Sequence, residues 1–444
     1  MKNLYIAALG MVAMLWSPLQ VSAQEQQDNA SKLEVKAQIR PRAEYRNGAL
    51  GSTGSTPAFF VNNRARLSAY YTDASGKLTV GMSGQNVSVW GATPQVESVG
   101  TFMLNEAWAE LKASEHFAFR IGRQQLAYDD DRILGTLDWQ VSGRWHDAFL
   151  TKMKFDNFQA HVGLAFNQNA ETKDNTWYNP TGAQPYKTMQ FLWMSQKFNE
   201  RFSATALLMN LGFQKMENGS AVDGIYDLQT LGANLHFKEG AWKINGTFYK
   251  QLGQNNSGQG VNAHMLALKV IFAEQGSAWS FAGGLDYLSG NDAELDADGE
   301  INPTVKDNTQ KAFDPLFGTH HKFYGFMDYF YVGNHGRNIG LFDKHIGATY
   351  KVNPKLSITG TAHHFNGAGS IKSESGATES NYLGTEADFS FKYKMMKDVV
   401  LMGGFSQMFG TDALNQLYPG TNQNGQNWGW LMININPTIF SSKF

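Results

Sequence analysis

Apolar and polar residues alternate one for one along most of this chain. From Lys32 onward the alternation comes in runs of roughly ten residues divided by turn-forming clusters, which is the sequence signature of a transmembrane β-barrel. In the first run Leu33, Val35, Ala37, Ile39, Ala43 and Tyr45 share one face, and Lys36, Gln38, Arg40, Arg42, Glu44 and Arg46 share the other. Successive side chains of a strand point to opposite faces, so one face can meet lipid while the other meets water. Similar runs span Asn62–Tyr71, Phe158–Asn167, Phe202–Leu211, Trp242–Gln251, Ile339–Val352, Leu356–Asn366 and Tyr382–Lys394.

The separators alternate in length. Short ones lie at 73–76, 114–116, 156–157, 199–201, 238–240, 274–276, 353–355 and 397–398. Long ones lie near 47–58, 91–101, 125–142, 168–186, 214–224, 252–260, 288–338, 367–380 and 410–426. Eight short turns and nine long loops join eighteen strands. The fold class expected is therefore all-β, a transmembrane antiparallel barrel of about 18 strands with short periplasmic turns, long extracellular loops and both termini on the short-turn side. Pro41 removes a ladder donor from the first strand and predicts a bulge or an early strand edge there.

Composition moves the picture toward the outer membrane. The first 23 residues read as a secretory signal cleaved after Val21-Ser22-Ala23, residues 24–31 as a short periplasmic segment and 32–444 as the barrel. Cysteine is absent, so disulfides and thiolate metal sites are excluded. A net charge of -2 leaves no basic footprint for nucleic acid, and no later apolar run is long enough for a membrane helix. Aromatics at 13% and 45 glycines, against 17% charged residues, suit barrel strands and interfacial girdles. The expected partners are outer-membrane lipid and lipopolysaccharide, with Phe444 presented to the barrel-assembly machinery and the barrel acting as a monomer without nucleic acid.

Charge then assigns direction. An Arg facing lipid near the midplane costs roughly 2 to 4 kcal/mol, so the charged parity of a strand is its lumen parity. That points Arg40, Arg42, Arg64, Arg66, Lys112 and Arg120 inward, with Glu106, Trp108 and Glu110 beside them. The functional reading is an anion-attracting constriction lined by guanidinium groups. The alternative is an Arg–Glu lattice that only braces the wall, and the excess of Arg over acid at Arg40, Arg42, Arg64 and Arg66 favours selectivity for those four.

The stretch FRIGRQQLAYDDDRILG, residues 119–135, poses a conflict, because strict alternation aims Arg123 at lipid. A break at Gly122 would turn Arg123 toward the pore and leave Asp129, Asp130, Asp131 and Arg132 as extracellular-rim charges able to pair in an inward-folded loop. Elsewhere, Glu294, Asp296, Asp298 and Gly299 are spaced like half a calcium loop, but Val305 stands where the closing Glu belongs, so a solvated acidic loop competes with bound calcium. The adjacent pairs His320-His321 and His363-His364 face opposite ways if extended and do not chelate as pairs. No other cofactor is expected. His146-Asp147 lacks the context of a nucleophilic serine, so the chain is not expected to be an enzyme.

The stretch FRIGRQQLAYDDDRILGTLDW, the preceding LNEAWAEL and the following GRWHDAF resemble the alginate-export family of outer-membrane porins over about residues 60 to 155. FDPLFGTHHKFYGFMDYFYVGN, residues 313–334, looks like a segment of one branch of that family. The resemblance implies an eighteen-stranded monomer passing a polyuronate through a narrow basic lumen, with Arg120, Arg123 and Arg144 among the lumen or rim charges. The expected function is passive, weakly anion-selective passage of an anionic polysaccharide or oligosaccharide. The alternative is a general or small-anion diffusion porin.

Overall fold

The computed structural model describes residues 30–48, 56–96, 102–180, 182, 184–303, 308–332, 338–373, 375–418 and 426–444. The expected signal and most of the expected N-terminal segment lie outside them. The barrel strands are β1 (Lys32–Asn47), β2 (Ala58–Thr72), β3 (Leu78–Val89), β4 (Met103–Lys112), β5 (Phe117–Gln124), β6 (His146–Phe155), β7 (Phe158–Phe166), β8 (Thr188–Lys197) and β9 (Phe202–Glu217). They continue as β10 (Ser220–Glu239), β11 (Trp242–Gln254), β12 (Gly260–Phe272), β13 (Trp279–Leu288), β14 (Leu341–Asn353), β15 (Leu356–Asn366), β16 (Tyr382–Met396) and β17 (Val399–Gly410). The last, β18, runs over Gln426–Ile435 and resumes after Pro437 as Thr438–Lys443.

Each strand pairs antiparallel with the next, and β1 pairs back onto β18 from Lys32↔Lys443 to Asn47↔Asn427, so the sheet closes. Closure leaves no unpaired edge to lipid, which the hydrocarbon would penalise heavily. Ser31 and Phe444 complete the seam with reciprocal backbone hydrogen bonds of 2.8 and 3.0 Å. All eight short turns stand where the pattern puts them, and the strand count is eighteen.

Alternation fixes the two surfaces. Ile39, Leu67, Met82, Ile121, Phe248, Ile346, Phe389 and Leu431 are exposed on the outer face, as an apolar belt in lipid requires, while Arg40, Arg64, Gln85, Asp286 and Glu386 are buried on the inner one. None of the described helices is long and apolar enough to cross a membrane; the strands do so.

Two expectations change. Pro41 sits in an unshifted register opposite Asn63, so β1 runs through it without a bulge toward β2. The irregularity falls on the other side, where Val35 pairs with Phe440 and Lys36 with Thr438, so that the register shifts across Ile439 of β18. The loop expected at 214–224 is instead a two-residue hairpin: Glu217 pairs with Ser220 across Asn218 and Gly219, at φ +50° and +79°. Asn-Gly is the pair that tolerates two left-handed residues, and its twist matches that of the strands, which lets β9 and β10 rise above the membrane.

The barrel is not an empty tube. The loop joining β5 to β6 (125–145) and residues 312–331 of the loop joining β13 to β14 fold inward and pack together. They meet along a parallel bridge, with Phe317 N donating to Ile133 O at 3.0 Å, Gly135 N to Phe317 O at 3.0 Å and Thr319 N to Asp131 O at 2.8 Å. A side chain on Gly318 would lie 2.1 Å from the Arg132 carbonyl, so only glycine permits this approach. Leu126, Ile133 and Leu134 from one loop and Phe313, Phe317, Tyr324, Met327, Tyr329 and Phe330 from the other are buried with wall residues such as Leu150, Phe191, Tyr249 and Phe365. At about 1.5 to 3 kcal/mol for each large side chain, this interior core keeps the loops in the lumen.

Candidate pore constriction

Three inward arginines on adjacent strands meet the β5–β6 loop. Arg64 is fully buried; its Nη1 lies 2.6 Å from Asp138 Oδ1, and its Nη2 donates to the Gln140 carbonyl at 2.8 Å. Arg40 holds the other Asp138 oxygen at 3.1 Å. Arg42 donates to the Trp139 carbonyl at 2.7 Å, with its guanidinium 4.0 Å from that indole's centroid. Arg66 turns to amide oxygens, those of Gln85 at 2.9 Å and Asn105 at 3.3 Å. The basic ladder read from the sequence is therefore also the latch for the inward loop.

Glu44 completes the latch. Its buried carboxylate accepts from Arg42 Nε at 2.8 Å, Arg46 Nη2 at 2.8 Å, Asn62 Nδ2 at 3.0 Å and Trp428 Nε1 at 3.1 Å. Five guanidiniums (Arg40, Arg42, Arg46, Arg64, Arg66) face two carboxylates here, so the cluster keeps a positive surplus. Burial opposes ionisation of Asp138, but Arg40 and Arg64 outweigh it and hold its carboxyl below the usual range. Asp138 was not a candidate because a loop position carries no face parity.

The next strands hold a second inward cluster. Glu110 accepts from Arg120 at 2.7 Å and also pairs with Lys152, while the Arg120 guanidinium lies 3.8 Å from the Trp108 ring centroid. Glu106 reaches the backbone N–H of Gln125 at 3.4 Å. Lys112 is exposed at the short-turn end of β4. Arg144 lies in the β5–β6 loop and donates to the Gly318 carbonyl at 3.0 Å, so it joins the two inward loops.

Arg123 corrects the reading. Strand β5 keeps unbroken register with β4 and β6 through Gly122, so Arg123 stays on the face of Phe119 and Ile121. It forms two hydrogen bonds of 2.9 Å with Asp147 and leans on Trp145, on the outer surface. Gly122 does adopt φ +119°, but that unusual backbone accommodates the Ala107 carbonyl and does not invert the strand. An opposite charge on the adjacent strand solves the problem that the bulge was expected to solve.

The residues expected at the extracellular rim are also placed differently. Arg132 is buried, pairing with Asp130 at 2.8 Å and with Asp286 of β13 at 2.6 Å, over the ring of Phe323. Asp129 accepts from Trp193 at 3.1 Å, and burial pushes its carboxyl up. Asp131 pairs with Lys322 at 3.1 Å. Inward folding carries all four away from the rim.

Asp296 caps a hairpin turn. It accepts from Asp298 N, Glu300 N and Asn302 Nδ2 at 3.1, 2.9 and 2.6 Å, which uses both oxygens, and Glu294 and Asp298 are not drawn into a shared ligand cluster among the described residues. His146 and Asp147 diverge: His146 faces Tyr186 inside at 2.8 Å, while Asp147 holds Arg123 outside.

Between the loops and the wall of β15–β18 lies a cavity of about 450 Å³. Thr136, Asp138, Trp139, His321, Lys322 and Phe326 line it from the loops, and Ser357, Thr359, Ser390, Lys392, Met402 and Trp430 from the wall. Trp139 stacks on His321 at 4.3 Å and meets Trp430 edge-on at 4.9 Å. The cavity thus offers hydroxyls, aromatic faces and charges of both signs.

A closed eighteen-stranded barrel with an apolar outer belt and loops folded into its lumen is the build of an outer-membrane β-barrel protein. Solved structures of that class share the fold. OpdK of Pseudomonas aeruginosa is 12% identical with a TM-score of 0.57, over 93% of this chain and 99% of that one. OccK8 (OprE) of the same organism is 12% identical with a TM-score of 0.59, over 92% and 98%. OccAB4 of Acinetobacter baumannii is 12% identical with a TM-score of 0.56, over 94% and 99%. At such identities the likeness is one of fold. No known family profile and no curated protein matches the sequence. The resemblance to alginate exporters gains no support from these comparisons, and two of its motif residues have local tasks, Glu110 pairing inside the wall and Arg123 outside it.

Proposed function

We propose that this protein is an outer-membrane diffusion channel for small polar solutes, with a weak preference for anions, and not an exporter of polysaccharide chains. The observation that carries this reading is that two loops pack into the lumen against the wall, with a cavity of about 450 Å³ beside them. That volume lies within the range of small-molecule sites, roughly 300 to 1,000 Å³. A polymer in transit needs a continuous bore, whereas a small solute can move between contacts, each weak enough to release it. The positive surplus at Arg40, Arg42, Arg46, Arg64 and Arg66 supports the anion preference. One porin of the same fold, OpdK, has been solved with vanillate, a small molecule.

Liposome swelling tests the reading. Monomeric sugars and sugar acids should enter, the acids faster than neutral sugars of equal size, and uronate oligomers should be excluded as they lengthen. Passage of long oligomers at the monomer rate would overturn the small-solute reading. Equal rates for acids and neutral sugars would remove the anion preference.

A further inference from the structure

Further round the wall from the arginine latch, four carboxylates converge inside the barrel. Asp286 of β13, Asp343 of β14 and Glu386 and Asp388 of β16 are each at most 2% exposed. The described cations at ion-pair distance from them are Arg132, on Asp286, and two histidines if these are charged. Burial of so much negative charge is costly unless a cation compensates it or the carboxyls take up protons.

The histidines are placed to hold one. His345 and His363 are register partners on β14 and β15, and Asp343 lies two residues before His345, so alternation turns all three inward. Asp343 Oδ2 is 3.4 Å from His345 Nδ1 and 2.9 Å from His363 Nδ1. Ligand atoms about 2.0 to 2.2 Å from a tetrahedral metal stand slightly over 3 Å apart, so these separations are close to those of a first coordination sphere.

Two further observations point to a ligand. His345 Nδ1 and both oxygens of Asp388 are buried without a hydrogen-bond partner among the described residues. The far nitrogen of His363, Nε2, faces Asp388 Oδ2 at 3.6 Å. A carboxylate behind the ring of a ligating histidine fixes its tautomer and raises its basicity. Asp286, 3.8 Å from His345 Nδ1, offers another oxygen.

We propose that Asp343, His345 and His363 form a binding site for a divalent first-row transition metal, with Asp388 as a positioning residue behind His363. Two imidazoles and a carboxylate select zinc-like ions over calcium or magnesium, which take oxygen donors. Because Asp286 also holds Arg132, the metal would sit beside the point where the β5–β6 loop is anchored to the wall.

The test uses the folded full-length barrel in detergent, stripped with EDTA, reloaded with zinc and desalted. One zinc per chain should be retained, and cobalt should give the visible absorption of a four- or five-coordinate N/O site. His345→Ala and His363→Ala should each abolish retention, and Asp388→Asn should weaken it about 10- to 100-fold. His364→Ala, on the opposite face of β15 where His364 stacks on Tyr382, should leave it intact. Every variant is first checked for the heat-dependent gel mobility of a folded barrel. Zinc at the same level in wild type and in folded His345→Ala and His363→Ala, no zinc in wild type, or calcium held as tightly as zinc would each overturn the proposal.

Discussion

The guanidinium of Arg64 reaches from the barrel wall to the carboxylate of Asp138 in the inward loop, 2.6 Å away, and is itself fully buried. Arg40 takes the second oxygen of the same carboxylate, so one acid at the loop tip is held by two strands' worth of cation. Removing Arg64 takes away the pair and three contacts to loop carbonyls together. Arg64→Ala should therefore raise single-channel conductance and add fast flicker in planar bilayers, as the loop tip leaves the lumen axis. Unchanged conductance would show that the loop is held by its apolar core alone.

The same pair predicts how the channel responds to acid. Asp138 is held below its ordinary range, near 3.9 for an unperturbed Asp, so its contribution is complete above that value and is lost as pH falls through the lowered one. Conductance should stay constant on this account from neutrality to about pH 4 and rise below it. Asp138→Asn should be open at neutral pH and show no such acid step. Recordings over a pH series on both proteins decide it, since a step of the same size in Asp138→Asn would assign it to another group.

How much of this was legible in the sequence follows from the range of each interaction. Alternation is local, so the eight turns and the lumen parity of Arg40, Arg42, Arg64, Glu110 and Arg120 could be read directly. Asp138 could not, because a loop residue has no parity and its partners Arg40 and Arg64 lie 98 and 74 positions earlier. The grouping of Asp343, His345 and His363 is not legible, because strand register and not adjacency in the chain brings His345 and His363 together. Arg123 was misread for the same reason: its lipid-facing charge is neutralised by Asp147 from the neighbouring strand.

Glu44 should matter most to stability among the latch residues. It is fully buried and gathers four donors, and its loss would leave Arg42, only 3% exposed, without a carboxylate. Breaking a buried pair by removing one partner costs about 3 to 5 kcal/mol. Glu44→Ala should lower the urea midpoint of the detergent-folded barrel accordingly, with Glu44→Gln intermediate because an amide oxygen still accepts. A shift no larger than that of an exposed substitution would show that the donors find other acceptors.

Gly122 should tolerate no side chain. At φ +119° an added Cβ would stand 2.2 Å from the Ala107 carbonyl oxygen, which belongs to the strand paired with β5. The contact is backbone to backbone, so no rotamer relieves it. Gly122→Ala should reduce the folded fraction on gels, and folded material should show increased amide exchange in β4 and β5. Wild-type folding with unaltered exchange would mean that the strand relaxes there without loss.

The outward pair Arg123–Asp147 should be nearly silent in transport. Both side chains are part-exposed on the outer surface, and neither faces the lumen. Arg123→Leu should leave conductance and reversal potential under a salt gradient unchanged, because the charge it removes never faces the lumen. Asp147→Leu should be worse tolerated in the membrane, since it strands a cation where alternation gives it an apolar neighbourhood of Phe149 and Ile121. A change of ion preference in Arg123→Leu would put this side chain back in the pore and contradict the unbroken register of β5.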